Sequence, residues 1–274
     1  MPPFVSVNWL VDHLADVVVC DVRMVADPAD AFTEYSAHHL PGAVLVDLNA
    51  DLAAPAEAIL GRHPLPNPEH FAAVLARLGI GSRSRVVAYD NTAGALASRF
   101  VWMLRAIGQD AAVLGGGSDA WPGPFESGPV HVEAVGRAPV DWPDELLATS
   151  ADVEAALKSG VPVIDSRSGE RFRGEVEPLD AIAGHIPGAV NLPFSDHLQG
   201  GVLVNDPEIR ARFADAGIDG STENVPPIMY CGSGVTACLN ILAAESAGLG
   251  PARLYVGSWS GWSTTPGAPI ATGE

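Results

Sequence analysis

One pattern occurs twice in this chain of 274 residues, and that repetition constrains the fold more than any other feature. The segment Val17-Val18-Val19-Cys20-Asp21-Val22-Arg23 recurs as Val161-Pro162-Val163-Ile164-Asp165-Ser166-Arg167. His39-Leu40-Pro41-Gly42-Ala43-Val44 recurs as His185-Ile186-Pro187-Gly188-Ala189-Val190, and Val86 to Asp90 is answered by Pro227 to Cys231. Gly116–Trp121 is answered by Gly257–Trp262. The offsets are 165 − 21 = 144, 185 − 39 = 146, 230 − 89 = 141 and 262 − 121 = 141, in the same order along the chain. Two homologous domains follow, at residues 1–122 and 148–274. Between them, residues 123–147 hold Pro124, Pro129, Pro139 and Pro143. Proline removes donors and fixes φ, so this stretch reads as an extended surface linker.

Each half alternates strand and helix signals. Val17–Asp21, Ala43–Asp47, Val86–Tyr89 and Ala111–Leu114 are short, valine-rich apolar runs suited to buried parallel strands. Asn67-Pro68-Glu69 and Asp206-Pro207-Glu208 each offer a capping side chain, a first-turn proline and an acid. Both predicted helices stop at a glycine, Gly79 and Gly217. The expected class is α/β, two tandem domains each built on a mainly parallel sheet flanked by helices.

Composition narrows the function. With 47% hydrophobic residues the chain can bury a core, and it has no apolar run of about 18 residues that would span a membrane. Met1-Pro2-Pro3-Phe4 lacks the basic start of a signal peptide, so a cytoplasmic protein is expected. The formal charge of −18 disfavours nucleic acid and anionic lipid, which both need cationic surface. Most of this acidity serves solubility. Any anion site must rest on local dipoles and a few arginines. The three cysteines, Cys20, Cys231 and Cys238, have no zinc-type spacing and are too few for a disulfide framework. No metal or organic cofactor is indicated.

Cys231 stands where ligands bind in open parallel sheets, at the carboxyl end of a predicted strand. Gly232, Ser233, Gly234, Val235 and Thr236 follow, and then a helix-forming run. The glycines allow a tight turn, and the backbone N–H groups of Gly232, Gly234, Val235 and Thr236 are candidates to hold an anion with the helix N-terminus. A thiol there is expected to ionise near neutral pH. The alternative, a small inert core cysteine, suits Cys20 in its strand and Cys238 inside the helix better.

The run Cys231-Gly232-Ser233-Gly234-Val235-Thr236-Ala237 resembles the active-site loop of 3-mercaptopyruvate sulfurtransferases, relatives of the thiosulfate sulfurtransferases (rhodaneses). Asp165-Ser166-Arg167, Arg171-Phe172-Arg173-Gly174, Gly184–Ala189 and Gly257–Trp262 also resemble the C-terminal domain of that family. The resemblance covers nearly the whole chain, including loss of the cysteine from the first domain, where Asp90 stands. It implies ping-pong transfer through a Cys231 persulfide, from a small anionic sulfur donor to cyanide or to a thiol such as thioredoxin, by a monomer. Ser233 would supply the proton that a departing pyruvate enolate needs, and its other reading is a loop serine bonded to its own backbone.

Arg171 matches the family's anion-binding arginine; the competing reading is an ion pair with a neighbouring acid. The family's second arginine, nine residues on, is Asp180 here, which disfavours a carboxylate donor unless Arg173 substitutes or the donor differs. His39 resembles a histidine thought to contact the serine, but its duplicate His185 makes a turn-stabilising role for both a competitor. Uncharged Gly232-Ser233 favours mercaptopyruvate over thiosulfate. Two other classes compete. Phosphatases of the same architecture need an arginine six residues past the cysteine, where this chain has Ala237. A non-catalytic sulfur-carrier or binding module would be expected to have lost Cys231.

Overall fold

The computed structural model describes residues 1–25, 27–220 and 225–274. The chain forms two compact units. The first comprises 1–54, 65–142 and 200–202; the second comprises 55–64, 143–199 and 203–274.

The first unit is a five-stranded parallel sheet of β1 (Phe4–Val5), β2 (Val18–Arg23), β3 (Val44–Asp47), β4 (Val86–Tyr89) and β5 (Ala111–Leu114), in the order β1-β5-β4-β2-β3. Its helices are α1 (Val7–His13), α2 (Pro28–Ala37), α3 (Leu48–Asp51), α4 (Pro68–Arg77) and α5 (Ala97–Ala106). Asn67 caps α4 by accepting the His70 N–H at 2.7 Å, and Gly79 leaves the helix with φ +72°.

The second unit repeats the plan. Strands β6 (Leu147–Ala148), β7 (Val163–Asp165), β8 (Val190–Asn191), β11 (Ile228–Tyr230) and β12 (Arg253–Tyr255) run parallel in the order β6-β12-β11-β7-β8. Two short strands, β9 (Leu198–Gln199) and β10 (Val202–Leu203), belong to neither five-stranded sheet. The helices are α6 (Ser150–Ser159), α7 (Gly169–Phe172), α8 (Asp206–Asp215), α9 (Ala237–Ser246) and α10 (Ser258–Trp262). The cap of α8 is Asn205, one residue before the predicted Asp206: its side chain accepts the Glu208 N–H at 3.1 Å from an extended backbone, and Asp206 is already helical. Among the described residues no helix is long and apolar enough to cross a membrane.

The repeated sequence blocks build one buried polar device in each unit. Asp21 receives Arg23 through two hydrogen bonds at 3.0 and 2.8 Å and the Tyr89 hydroxyl at 2.8 Å, while the Leu40 N–H donates to that hydroxyl. In the second unit Asp165 receives Arg167 at 2.6 Å, and the Ile186 N–H reaches the Tyr230 hydroxyl at 3.3 Å. Each buried charge is thus paired and each turn tied to the central strand, as burial requires.

The proline-rich stretch is extended, yet its first part, up to Trp142, is bound to the first unit. Glu126 and His39 exchange backbone hydrogen bonds at 2.9 Å, Val130 N–H reaches the Tyr35 hydroxyl, Arg137 reaches Gln109, and Trp142 Nε1 donates to Pro66.

Candidate active site

Strand β11 lies between β12 and β7 and delivers Cys231 at its carboxyl end. The Cys231 N–H donates to Ser258 Oγ at 3.2 Å, and Ser258 in turn donates to the Tyr255 carbonyl at 2.9 Å. The carbonyls of Cys231 and Gly232 accept the N–H groups of Trp259 and Ser260 at 2.9 Å, which commits both oxygens to α10. Gly234 takes φ +75°, a conformation that costs a residue with a Cβ. Its carbonyl accepts the Cys238 thiol at 3.4 Å, fastening the loop to the first turn of α9. Asn240 anchors α9 through Ser166 Oγ and the Leu192 carbonyl. Cys231 is only 2% exposed.

The first unit shows what such a loop holds. Position 90 corresponds to 231 by the offset of 141 (231 − 90 = 141). There the buried carboxylate of Asp90 accepts four backbone N–H groups, from Thr92, Gly94, Leu96 and Ala97, at 2.7–2.8 Å. A strand–loop–helix junction of this length gathers amides around one negative group.

The second unit also contains residues 55–64, which add two side chains to the site. Their backbone lies flush on α10. A Cβ on Gly61, whose φ is +84°, would stand 2.5 Å from the Gly257 carbonyl oxygen, and one on Gly261 would stand 2.6 Å from that of Ile59. Arg62 N–H donates to Ser260 Oγ at 3.1 Å, and Thr264 Oγ1 donates to the Ala58 carbonyl. This contact brings His63 Nδ1 to 2.8 Å from Ser233 Oγ. It also sets the Arg62 guanidinium beside Gly232, where a Cβ would meet Arg62 Nη2 at 3.0 Å and Arg171 Nη2 at 3.3 Å.

The arginines are held by acids. Glu177 accepts Arg171 at 2.7 Å and Arg167 at 3.3 Å, together with the N–H groups of Leu179 and Asp180. Burial works against its charge, but hydrogen bonds from Arg171 and these amides hold its carboxyl below the usual range. Asp180 pairs with Arg62 and lies 3.5 Å from Arg171. Burial pushes its carboxyl up, against the pull of Arg62, with Glu177 adding to the rise. No group of three or more His, Cys, Asp or Glu residues among those described could hold a metal.

A family model for the rhodanese-like domain matches residues 6–123 and 149–265. The chain belongs to the rhodanese family. This rhodanese is 40% identical over 246 residues to the human 3-mercaptopyruvate sulfurtransferase, covering 85% of this chain and 80% of that one. It is 39% identical over 266 residues to a Mycobacterium tuberculosis protein that carries the name thiosulfate sulfurtransferase, covering 94% and 91%. The crystal structure of the 3-mercaptopyruvate sulfotransferase SseA from Escherichia coli superimposes with a TM-score of 0.80 at 32% identity, covering 94% of this chain and 99% of that one. This rhodanese is a sulfurtransferase.

Of the residues singled out by sequence, Cys231, Gly232, Ser233, Gly234, Val235 and Thr236 form the loop, and Arg171 faces it. Arg173 does not take the place of the missing second arginine in this rhodanese. Its guanidinium is partly exposed and paired with Glu175 at 2.8 Å, a contact between groups two residues apart. His39 is likewise occupied within its own unit: its ring nitrogens lie 2.9 Å from the carbonyls of Leu40 and Gly128, and its ring stacks on Tyr35. His185 does the same against Phe172, so both histidines brace turns. The histidine at Ser233 is His63, and the guanidinium beside Arg171 is Arg62. Sequence reasoning passed over both; Arg62-His63 set between Gly61 and Pro64 was the signal available.

Proposed function

We propose that this rhodanese moves sulfur from 3-mercaptopyruvate, with thiosulfate the poorer donor, to a thiol or cyanide through a persulfide on Cys231. The Cys231 thiolate attacks the donor sulfur, the carbon–sulfur bond breaks, and its electrons leave with the pyruvate enolate. The donor's thiol proton is transferred to the enolate carbon, which yields pyruvate and an anionic persulfide. The acceptor then takes the outer sulfur and returns Cys231 to the thiolate.

The observation that carries this reading is the hydrogen bond between Ser233 and His63, two residues from the thiol in the loop. A thiosulfate donor releases sulfite, which needs no proton, whereas an enolate does, and a serine paired with a histidine can relay one. The Asp90 loop supports a negative sulfur at the equivalent position, because amides there already hold a carboxylate. Retention of Cys231 in such a loop disfavours a passive binding module, and Ala237 in place of a phosphate-clamping arginine disfavours a phosphatase. Three cysteines that form no disulfide suit a reducing compartment, so we place the activity in the cytoplasm.

Intact mass measurement after incubation with each donor tests the intermediate: Cys231 should gain about 32 Da, and Cys231→Ser should gain nothing. Steady-state rates at a matched acceptor concentration test the donor. A higher kcat/KM for thiosulfate would overturn the assignment.

A further inference from the structure

A chain of six paired charges ends at Gly232, and their formal charges cancel. Three guanidiniums, Arg62, Arg167 and Arg171, meet three carboxylates, Asp165, Glu177 and Asp180. The three acids differ in how firmly they are held. Asp165 is locked to Arg167 by three hydrogen bonds of 2.6–3.1 Å. Glu177 bridges two arginines and two backbone amides. Asp180 spans Arg62 and Arg171, the two guanidiniums that press on Gly232 one residue from the thiol, and its contact with Arg171 is long at 3.5 Å. Burial raises its carboxyl against the pull of Arg62, and Glu177 adds to the rise.

We infer that Asp180 is an internal carboxylate occupying the donor's carboxylate subsite between Arg62 and Arg171, and that it sets donor specificity by competing for that subsite. This inference rests on the proposed donor class. Two guanidiniums converging on the loop are what an α-keto carboxylate needs beside a sulfur that must reach Cys231. While Asp180 bridges them, the subsite has no surplus positive charge. A donor gains the arginines only by displacing that carboxylate, so each carboxylate ligand is bound by the difference between two similar ion pairs. Arg62 supplies the second guanidinium from segment 55–64, and the acid stands on the turn after α7, so the charges are exchanged between the two elements.

The test is calorimetric binding of pyruvate to the reduced full-length enzyme, which involves no sulfur transfer. Asp180→Asn keeps the shape and removes the charge; pyruvate should bind about tenfold more tightly, the scale of one charge-assisted contact. Arg62→Gln should weaken binding by about the same factor. Pyruvamide, which lacks the carboxylate, should bind wild type and Asp180→Asn alike. In turnover with mercaptopyruvate, the effect of Asp180→Asn should fall on KM and lower it. Unchanged or weaker pyruvate binding by Asp180→Asn overturns the inference, because a merely structural acid would leave the arginines misplaced when neutralised. Asp180→Ser, measured alongside with the melting temperature of each variant, separates misfolding from loss of competition. If mercaptopyruvate fails to load Cys231 in the wild type, the donor assignment falls, while pyruvate binding still decides the subsite.

Discussion

His63 Nδ1 stands 2.8 Å from Ser233 Oγ although 170 residues of chain separate them. The contact exists because Gly61 and Gly261 let segment 55–64 lie directly on α10, the helix that also ties down the carbonyls of Cys231 and Gly232. The proposed relay is therefore built on the same support as Cys231. Replacing His63 by Ala or Ser233 by Ala should lower kcat with mercaptopyruvate by about 10²-fold, the usual worth of positioned acid–base catalysis. Thiosulfate turnover, which releases sulfite, should fall far less. Steady-state kinetics with both donors checks this, and equal losses would remove the enolate-protonation role.

The three thiols should separate cleanly by reactivity. Cys20 is sealed in β2, where burial and then Asp21 push its thiol up, and the Cys238 thiol is spent on the Gly234 carbonyl. Brief alkylation at pH 7 followed by peptide mapping should modify Cys231 first, and Cys20→Ser should still load sulfur on Cys231.

Arg171 and Arg173 are two residues apart but should behave differently. Arg171→Ala removes a guanidinium from the loop and leaves Glu177 short of a partner, so KM for an anionic donor should rise about tenfold or more. Arg173→Ala breaks only a surface pair with Glu175 and should leave KM within about twofold. Comparing KM for the two variants decides it.

Asp90 is the fixed anion of the first unit. Asp90→Ala would strand three buried N–H groups and one half-buried one, and urea unfolding should show a loss of about 3 kcal/mol or more. Asp90→Asn keeps one acceptor oxygen and should lose less.

Stability should fall in mild acid through His197. Its buried ring stacks on Phe213, neither nitrogen has a hydrogen-bond partner among the described residues, and burial, then Arg212, lowers its pKa to about 4. The folded pKa lies below the unfolded value of about 6.5. The contribution of the neutral ring is therefore whole above pH 6.5 and is lost as the pH falls toward 4, because the unfolded chain takes up a proton first. The total loss is on the order of 3 kcal/mol. Urea unfolding at pH 7 and pH 5 should show a smaller drop for His197→Gln than for wild type.

Much of the fold was written locally. The strands around Asp21, Val86 and Ala111, the cap at Asn67 and the glycine stop at Gly79 follow from nearest-neighbour chemistry, and each lies within a residue or two of its expected place. The cap of α8 fell at Asn205 because a proline is accepted at either of the first two helical positions, so proline alone does not choose between neighbours.

The sequence by itself determined the duplicated α/β plan and the place of Cys231 at a strand end, since apolar runs, glycines and a cysteine at a strand end are properties of contiguous residues. Only the tertiary structure decided which histidine meets Ser233 and which arginine stands beside Arg171. His39 and Arg173 had the family look or the proximity in sequence, yet their nearest polar neighbours claimed them. Arg62 and His63 reach the loop through a backbone contact between two glycines about 200 residues apart, and no short-range pattern encodes a contact of that kind.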